Sequence, residues 1–269
     1  MPAPDVDSLL ACPRCDAPLA RAADAYSCGG CKVDFPDLGG LPFLFAEPGY
    51  ARAEWRNRAQ HALGELRADH DRCDRELTQD NAEATQRRLE LLRNACAAQS
   101  ECLSELLTPL LADNSPAPRE TYLALRTRLP LDQGLNTYYQ NIHRDWCWGD
   151  EENARSLELV AGKLPEHGGK VLVLGAGAGR LAYDLHQTGK PELCVAFDFN
   201  PLLALIGDAL ARGQTVPLWE FPIAPRQLTD TAIRRELCAG DAAGSGLRFV
   251  LGDVLRPPFR AASFDVVVT

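Results

Sequence analysis

Four cysteines near the start of the chain have the spacing of a metal site. Cys12 and Cys15 form one C-x-x-C pair, Cys28 and Cys31 form a second, and twelve residues separate the two pairs. Each pair lets one tight turn direct two thiolates at a single ion, and four sulfurs complete the tetrahedral shell that structural Zn²⁺ prefers. The pattern therefore predicts a structural zinc site, because an ion with four protein ligands keeps no open position for catalysis.

A second candidate site is the glycine-rich loop at residues 175–179. It follows the apolar run 171–174, which is typical of a strand buried on both faces, and it precedes a segment with helical spacing that begins at Arg180. This strand–loop–helix order lets a cofactor approach bare backbone at a helix N-terminus. A dinucleotide fingerprint requires G-x-G-x-x-G, and the arginine at position 180 breaks that pattern.

Acidic residues follow the next two predicted strands. Asp198 ends the apolar run 193–197, where a carboxylate can accept hydrogen bonds from both hydroxyls of a ribose. Because more than one class of cofactor carries a ribose, Asp198 alone does not identify the ligand. Asp253 follows the predicted strand 247–251 and one glycine.

The order of these motifs resembles that of class I S-adenosylmethionine-dependent methyltransferases. The matching patterns are G-x-G-x-G at 175–179, the acid at 198, G-D at 252–253, P-F at 258–259 and S-F-D-x-V at 263–267. In that family the glycine loop lies against the methionine moiety, and the acid after the third strand accepts a hydrogen bond from the adenine amino group. The resemblance implies an S-adenosylmethionine site at Gly175, Ala176, Gly177, Gly179, Asp198, Phe199, Asp253 and Val254.

Residues 10–45 resemble the small Trm112-like zinc-ribbon domains. The matching elements are CPxC at 12–15, CxxC at 28–31, FP at 35–36, GxP at 40–42 and LF at 44–45. Members of that family are small partners of methyltransferases, and related ribbons occur fused in front of methyltransferase domains. The resemblance supports the methyltransferase hypothesis without assigning an activity.

The motifs predict an α/β fold with three regions. Residues 1–47 form the Trm112-like zinc ribbon, residues 48–150 form a helical region, and residues 151–269 form an S-adenosylmethionine-binding domain. We expect that domain to contain a Rossmann-like class I methyltransferase half-sheet with strands one to four. A complete fold of the family has seven strands, so we expect the sequence to be a fragment or a truncated gene product.

Helical spacing of apolar residues from 51 to 111 predicts two long amphipathic helices. Residues that favour helix caps cluster at 78–81 and predict a break there. A further short helix is predicted at 119–129. Two interpretations remain open. The helices pack as a helical insert, or they form a pair that binds a partner or gates the entry of a substrate.

Two later segments leave alternatives open. Residues 136–149 concentrate two Tyr, two Trp, a His and an Arg–Asp pair, which either attach the segment to the next domain or cover a ligand. Within it, His143 is predicted to be structural rather than a base. The long connection 213–246 either shapes a substrate entrance or lies on the surface; we expect it to be irregular at 219–222 and helical at 229–238.

Composition narrows the function classes. The chain of 269 residues has 46% hydrophobic and 24% charged residues, which is typical of a packed globular protein. No apolar run reaches the ~18–20 residues that span a bilayer, and the N-terminus lacks a signal pattern, so we expect a cytoplasmic protein without membrane contact. The formal charge of −9 argues against a broad phosphate-binding surface. The six other cysteines are expected to be free thiols.

The sequence therefore predicts an S-adenosylmethionine-dependent methyltransferase that acts on a small-molecule or peptide nucleophile. Two alternatives remain open: an rRNA or tRNA methyltransferase that uses the ribbon to recognise RNA, and a non-catalytic ribbon module that supports another methyltransferase. Catalytic residues are not identified and are expected beyond Thr269. The oligomeric state is not indicated.

Overall fold

One mixed β-sheet organises the chain, which has an α/β fold in the computed structural model. The structure describes residues 5–112, 134–166 and 169–269. Its strands are β1 (Leu19–Arg21), β2 (Ala25–Cys28), β3 (Val33–Leu38), β4 (Leu41–Leu44), β5 (Lys170–Leu174), β6 (Leu193–Asp198), β7 (Val216–Glu220), β8 (Ile233–Leu237), β9 (Leu247–Gly252) and β10 (Val266–Val268). Eight of them form one sheet in the order β1-β2-β3-β4-β9-β6-β5-β10, and β7 and β8 form a separate hairpin.

The four strands predicted for the C-terminal region are present and parallel. β5 lies between β6 and β10, and β6 pairs on its other side with β9. Every residue of β6 is buried, as expected for a continuous apolar strand in the middle of a parallel sheet. Because the four strands are parallel, the glycine loop after β5 and Asp198 at the end of β6 meet at the same edge of the sheet.

The N-terminal strands extend this parallel sheet. β1, β2, β3 and β4 form an antiparallel meander, and β4 then pairs in parallel with β9 through Phe43 opposite Leu251 and Leu44 opposite Gly252. All four residues of β4 are buried. The cysteine-containing segment is therefore joined to the glycine-loop strands by backbone hydrogen bonds within one sheet.

The two faces of the sheet are covered by different parts of the chain. One core cluster combines side chains of the N-terminal segment, including Leu10, Tyr26 and Phe35, with Val195 and Val250 of the parallel strands. The larger cluster on the other side joins the sheet to the helices. Both faces of the parallel strands are thus buried, as such sheets require.

The two predicted helices are confirmed, and they pack against each other as a hairpin. Helix α1 (Pro48–Leu77) and helix α2 (Glu83–Leu106) are separated by a turn at the predicted break. In this turn the Asn81 side chain donates to the carbonyl oxygen of Glu76 at 2.7 Å, which satisfies one of the last carbonyls of α1. The short helix predicted at 119–129 lies outside the described residues.

The remaining described α-helices are shorter. They are α3 (Thr108–Leu111), α4 (Tyr139–His143), which continues into a π-helical turn (Arg144–Trp148), α5 (Asp150–Ala161), α6 (Arg180–Gln187) and α7 (Pro201–Ala211). Asn200 caps α7, because its side-chain oxygen accepts from the backbone N–H of Leu202 at 3.0 Å. No described helix combines the length and apolar character that crossing a membrane requires.

One local prediction for the 213–246 connection is wrong, and a second is confirmed only at residues 221 and 222. The expected helix at 229–238 is a short 3₁₀ turn (Leu228–Asp230) followed by strand β8, and residues 219 and 220 end strand β7 instead of being irregular. In β8 the more buried and more exposed residues alternate, which is the two-residue period of a strand. Strand β8 pairs with β7, and this pairing prevails over the helix propensity of the segment.

The close approach of β4 and β9 at Gly252 gives the first testable prediction. A Cβ at this position would lie 2.9 Å from the Phe197 ring and 3.0 Å from the Leu44 carbonyl oxygen. We expect Gly252→Ala to lower the free energy of unfolding by ~1–3 kcal/mol through overpacking, measured by urea denaturation.

Gly64→Ala is the matched control. Gly64 lies within α1, where an added Cβ meets no atom within 4 Å, so the substitution should stabilise the protein by ~0.5–1 kcal/mol. Equal effects of the two substitutions would contradict the role assigned to the β4–β9 contact.

Candidate functional site

The four predicted metal ligands meet in one cluster. The sulfur atoms of Cys12, Cys15, Cys28 and Cys31 all lie within 4.8 Å of one another, and those of Cys15 and Cys28 are 3.6 Å apart. Zn–S bonds of ~2.3 Å in a tetrahedron place sulfurs about 3.8 Å apart. The cluster could therefore hold a metal ion such as zinc.

Two of these sulfurs accept backbone hydrogen bonds. The N–H of Arg14 donates to Cys12 Sγ at 3.4 Å, and the N–H of Cys31 donates to Cys28 Sγ at 3.3 Å. The latter contact is the main reason why the pKa of Cys28 falls to about 7. The neighbouring Cys15 thiol, with burial, raises the pKa of Cys31 to about 12. All four thiols can therefore lose their protons together only when a cation is bound between them.

A second site is the cavity beside the glycine loop, which we call the glycine-loop cavity. It measures about 460 Å³ and lies where β5 and β6 end. The residues predicted from the sequence that line it are Gly175, Ala176, Gly177, Asp198 and Phe199. Its volume falls within the range of pockets that hold small-molecule ligands or cofactors.

The three loop glycines serve two different purposes. Gly175 and Gly177 have positive φ values of 63° and 58°, and a Cβ on either would meet no protein atom within 4 Å. Both therefore leave open space that a ligand can fill. Gly179 also has a positive φ, but its Cβ would lie 2.4 Å from the Phe249 ring. Gly179 is required for packing between α6 and β9 and does not line the cavity.

Asp198 holds the glycine loop from the end of β6. It is 7% exposed, and its two carboxylate oxygens accept from the backbone N–H groups of Gly177 at 2.8 Å and Asn200 at 2.9 Å. Burial raises the pKa of Asp198, although these N–H donors oppose that effect. Each carboxylate oxygen has more than one acceptor position, so Asp198 can still accept hydrogen bonds from a ligand.

Asp253 and Val254 lie apart from this cavity. Asp253 follows β9 at the same edge of the sheet, but its side chain accepts from the backbone N–H of Leu255 at 2.9 Å. Val254 is 55% exposed. Neither residue belongs to the cavity lining, so the structure does not bring them together with Asp198 in one site.

Asp265, which directly precedes β10, makes structural contacts with the start of β5. Its side chain accepts from the backbone N–H of Lys170 at 2.8 Å, and its own N–H donates to the Lys170 carbonyl at 2.9 Å. The pair fixes the start of β10 beside the start of β5. Asp265 is remote from the carboxyl ends of these parallel strands, where the cavity lies.

The aromatic segment at 136–149 both attaches itself to the glycine loop and lines the cavity. Trp146 donates from Nε1 to the Ala178 carbonyl at 3.2 Å, and the Arg180 guanidinium lies over the Trp146 ring and donates to the Asp145 carbonyl at 2.6 Å. Asn141 and Arg144 of the same segment line the cavity. The two roles that the sequence left as alternatives are therefore compatible in one segment.

The sequence did not single out Asn141, Arg144 or Asp145 as site residues. Arg144 and Asp145 form an ion pair at 2.7 Å at the cavity wall, and burial raises the pKa of Asp145 against the influence of Arg144. In the sequence they belong to a segment that is dense in polar and aromatic residues. Nothing in that density indicated which side chains would face the glycine loop.

Comparison with known proteins adds no identification: no family model matches the chain, and no curated protein matches it either.

The cysteine cluster yields a direct prediction of metal content. We expect elemental analysis to find one bound metal ion per chain in the wild-type protein. Cys31→Ser should lower that content and the melting temperature, because the ribbon loses one of four ligands and metal binding contributes to folding.

Cys238→Ser is the matched control, since Cys238 is exposed and outside the cluster. It should retain the wild-type metal content. A wild-type protein that contains no metal, or whose melting temperature a strong chelator leaves unchanged, would refute the metal site.

Proposed function

We propose that this chain is an S-adenosylmethionine-dependent methyltransferase that acts on a small-molecule or peptide nucleophile. The observation that carries the proposal is the glycine-loop cavity, where Gly175 and Gly177 leave ligand-sized open space directly beside the buried Asp198. S-adenosylmethionine supplies the methyl group when it is bound. The residues of this chain would bind and orient it against the acceptor.

The groups around the cavity match the parts of this cofactor. Asp198 would accept hydrogen bonds from the ribose hydroxyls, and the bare backbone of Gly175 and Gly177 would lie against the methionine moiety. The Arg144–Asp145 ion pair offers one positive and one negative group, which complements the carboxylate and ammonium of an amino acid. Phe199 adds an apolar contact beside Asp198.

The adenine contacts would come from the residues that follow β9. Asp253 and Val254 follow β9, which is adjacent to β6, so both lie at the correct edge of the sheet for the adenine end of the cofactor. An adenine contact there would extend beyond the present cavity lining. Val254 would then become covered on binding.

We further propose that the bound metal is Zn²⁺ and that its role is structural. Four thiolates satisfy its tetrahedral coordination, which leaves no position for substrate. The ion would hold the two cysteine turns together, and through them the strands that lead to β4.

The two alternative functions have less support. An RNA substrate fits poorly with a net charge of −9, since RNA binding depends on phosphate contacts with basic groups. A free-standing partner module fits poorly with β4, because one edge of this strand already pairs with β9 and the other with β3.

A pair of glycine variants tests the cofactor site. Gly177→Ala would place a methyl group in the space assigned to the cofactor, so calorimetric titration should detect no binding of S-adenosylhomocysteine. Gly189→Ala is the matched control, because Gly189 also has a positive φ, of 70°, and open space around its Cβ but lies outside the cavity. Gly189→Ala should carry similar backbone strain and retain wild-type affinity. Absence of binding by the wild type at millimolar ligand would refute the proposal.

A pair of aspartate variants separates the two cofactor contacts. Asp198→Ala should weaken S-adenosylhomocysteine binding about 100-fold, because two charge-assisted hydrogen bonds to ribose are lost. Asp253→Ala should weaken it about tenfold, the effect of one lost hydrogen bond. Unchanged affinity in Asp253→Ala would remove this residue from the site and leave the assignment of Asp198 intact.

A further inference from the structure

The segment 254–264, which leads from β9 to β10, is anchored by residues near the N-terminus. The Ala11 N–H donates to the Pro258 carbonyl at 2.9 Å, and the Arg260 N–H donates to the Leu9 carbonyl at 2.9 Å. Apart from local turns, these are the only backbone hydrogen bonds of the segment within the described part of the chain. The segment therefore depends on the N-terminal residues for its position.

Side-chain packing reinforces the same contact. Phe259 and Leu10 form an antiparallel bridge, and Leu10 is fully buried. The Phe259 ring centroid lies 5.3 Å from that of Phe197 in β6 and 5.0 Å from that of Phe264. These side chains belong to, or pack against, the core cluster that the N-terminal segment shares with the parallel strands. Movement of the backbone at Leu10 would therefore disturb the packing of the segment.

The first cysteine turn begins directly after this anchor. Ala11 is followed by Cys12, whose N–H donates to the Ala17 carbonyl at 2.8 Å and whose carbonyl accepts from the Asp16 N–H at 2.9 Å. The turn and the anchor therefore share one continuous stretch of backbone. A metal ion bound by all four cysteines would tie this turn to the second one, which begins at the end of β2. Without that link, residues 9–11 lose a fixed support.

The N-terminal segment also holds the chain just before residue 254. Leu44 of β4 pairs with Gly252 at the end of β9. Asp253 and Val254, the proposed adenine contacts, therefore lie between two anchors, which are the β4–β9 pairing and the bridge to Leu10. Both anchors are supplied by the segment that carries the cysteine cluster.

We propose that the cysteine-containing segment orders residues 254–264 when its cluster holds a metal ion, and that this order raises the affinity for S-adenosylmethionine. A loop that is already ordered loses less conformational entropy when a ligand binds to it. The effect on affinity rests on the proposed function, whereas the ordering rests on the contacts of residues 9–11 alone.

Coupling between two binding sites is reciprocal, so bound cofactor would raise the affinity for the metal by the same factor. Couplings of this kind typically change affinity by ~5–150-fold, and we expect about tenfold here.

Hydrogen exchange of the full chain tests the ordering without any cofactor. The amide hydrogens of Ala11 and Arg260 form the two anchoring bonds, so their exchange rates report on the anchor directly. We expect both rates to rise by about tenfold or more when zinc is removed with a chelator, while the amides of β6 stay protected over the same labelling time. Unchanged rates for Ala11 and Arg260, or loss of protection throughout β6 as well, would overturn the inference.

Calorimetric titration with S-adenosylhomocysteine tests the effect on affinity. The zinc-loaded wild type should bind this probe about tenfold more tightly than the zinc-free protein, and saturating probe should raise the zinc affinity by the same factor in competition with a chelator. If the probe binds equally in both states, the coupling is wrong and the proposed cofactor site stands. If it does not bind at all, the proposed function and the effect on affinity fail, and hydrogen exchange alone decides the ordering.

Phe259→Ala separates the anchor from the metal site. It removes the ring that packs against Phe197 and Phe264 and changes no cysteine, so the variant should keep one zinc per chain but bind S-adenosylhomocysteine equally with and without zinc. Phe221→Ala is the matched control, since Phe221 is also half-buried but lies outside the segment. It should preserve the wild-type difference. A difference that survives unchanged in Phe259→Ala would contradict the proposed route.

Discussion

The parallel pairing of β4 with β9 is the contact on which the rest of the structure depends. Two residue pairs join the cysteine-containing strands to the glycine-loop strands, and the result is one eight-stranded sheet. The pairing also covers an edge of the parallel sheet that would otherwise expose unpaired backbone groups. It places the N-terminal side chains over one sheet face and completes the core there. A metal ion in the cysteine cluster would therefore support the sheet that positions the glycine loop.

The parallel arrangement of the strands also concentrates polar groups at one edge of the sheet. Parallel strands end together, so the loop after β5 and Asp198 after β6 are brought within hydrogen-bond distance. Burial disfavours the charged form of Asp198, and two backbone N–H donors partly offset that cost. Such costs concentrate at functional sites, because a ligand can supply the missing contacts.

The candidate sites were predictable from the sequence to different degrees. The cysteine pairs and the loop glycines were evident, because each depends on the type and spacing of residues within a few positions. Arg144 and Asp145 were missed, because their place beside the glycine loop depends on Trp146 and Arg180, which fix the segment from a distance. Strand β8 was wrongly expected to be a helix, because its pairing with β7 prevails over its local preference.

The sequence by itself determined the local elements: two cysteine turns, a helical hairpin and four apolar strands with a glycine loop and an acid at their ends. These depend on short-range spacing, which dihedral preferences and burial translate directly into structure. Only the tertiary structure decided that the N-terminal strands join the parallel sheet, that Gly179 faces Phe249 while Gly177 faces open space, and that the aromatic segment lines the glycine-loop cavity. These features depend on contacts between residues far apart in the chain, which compete for the same sheet edges and buried volume.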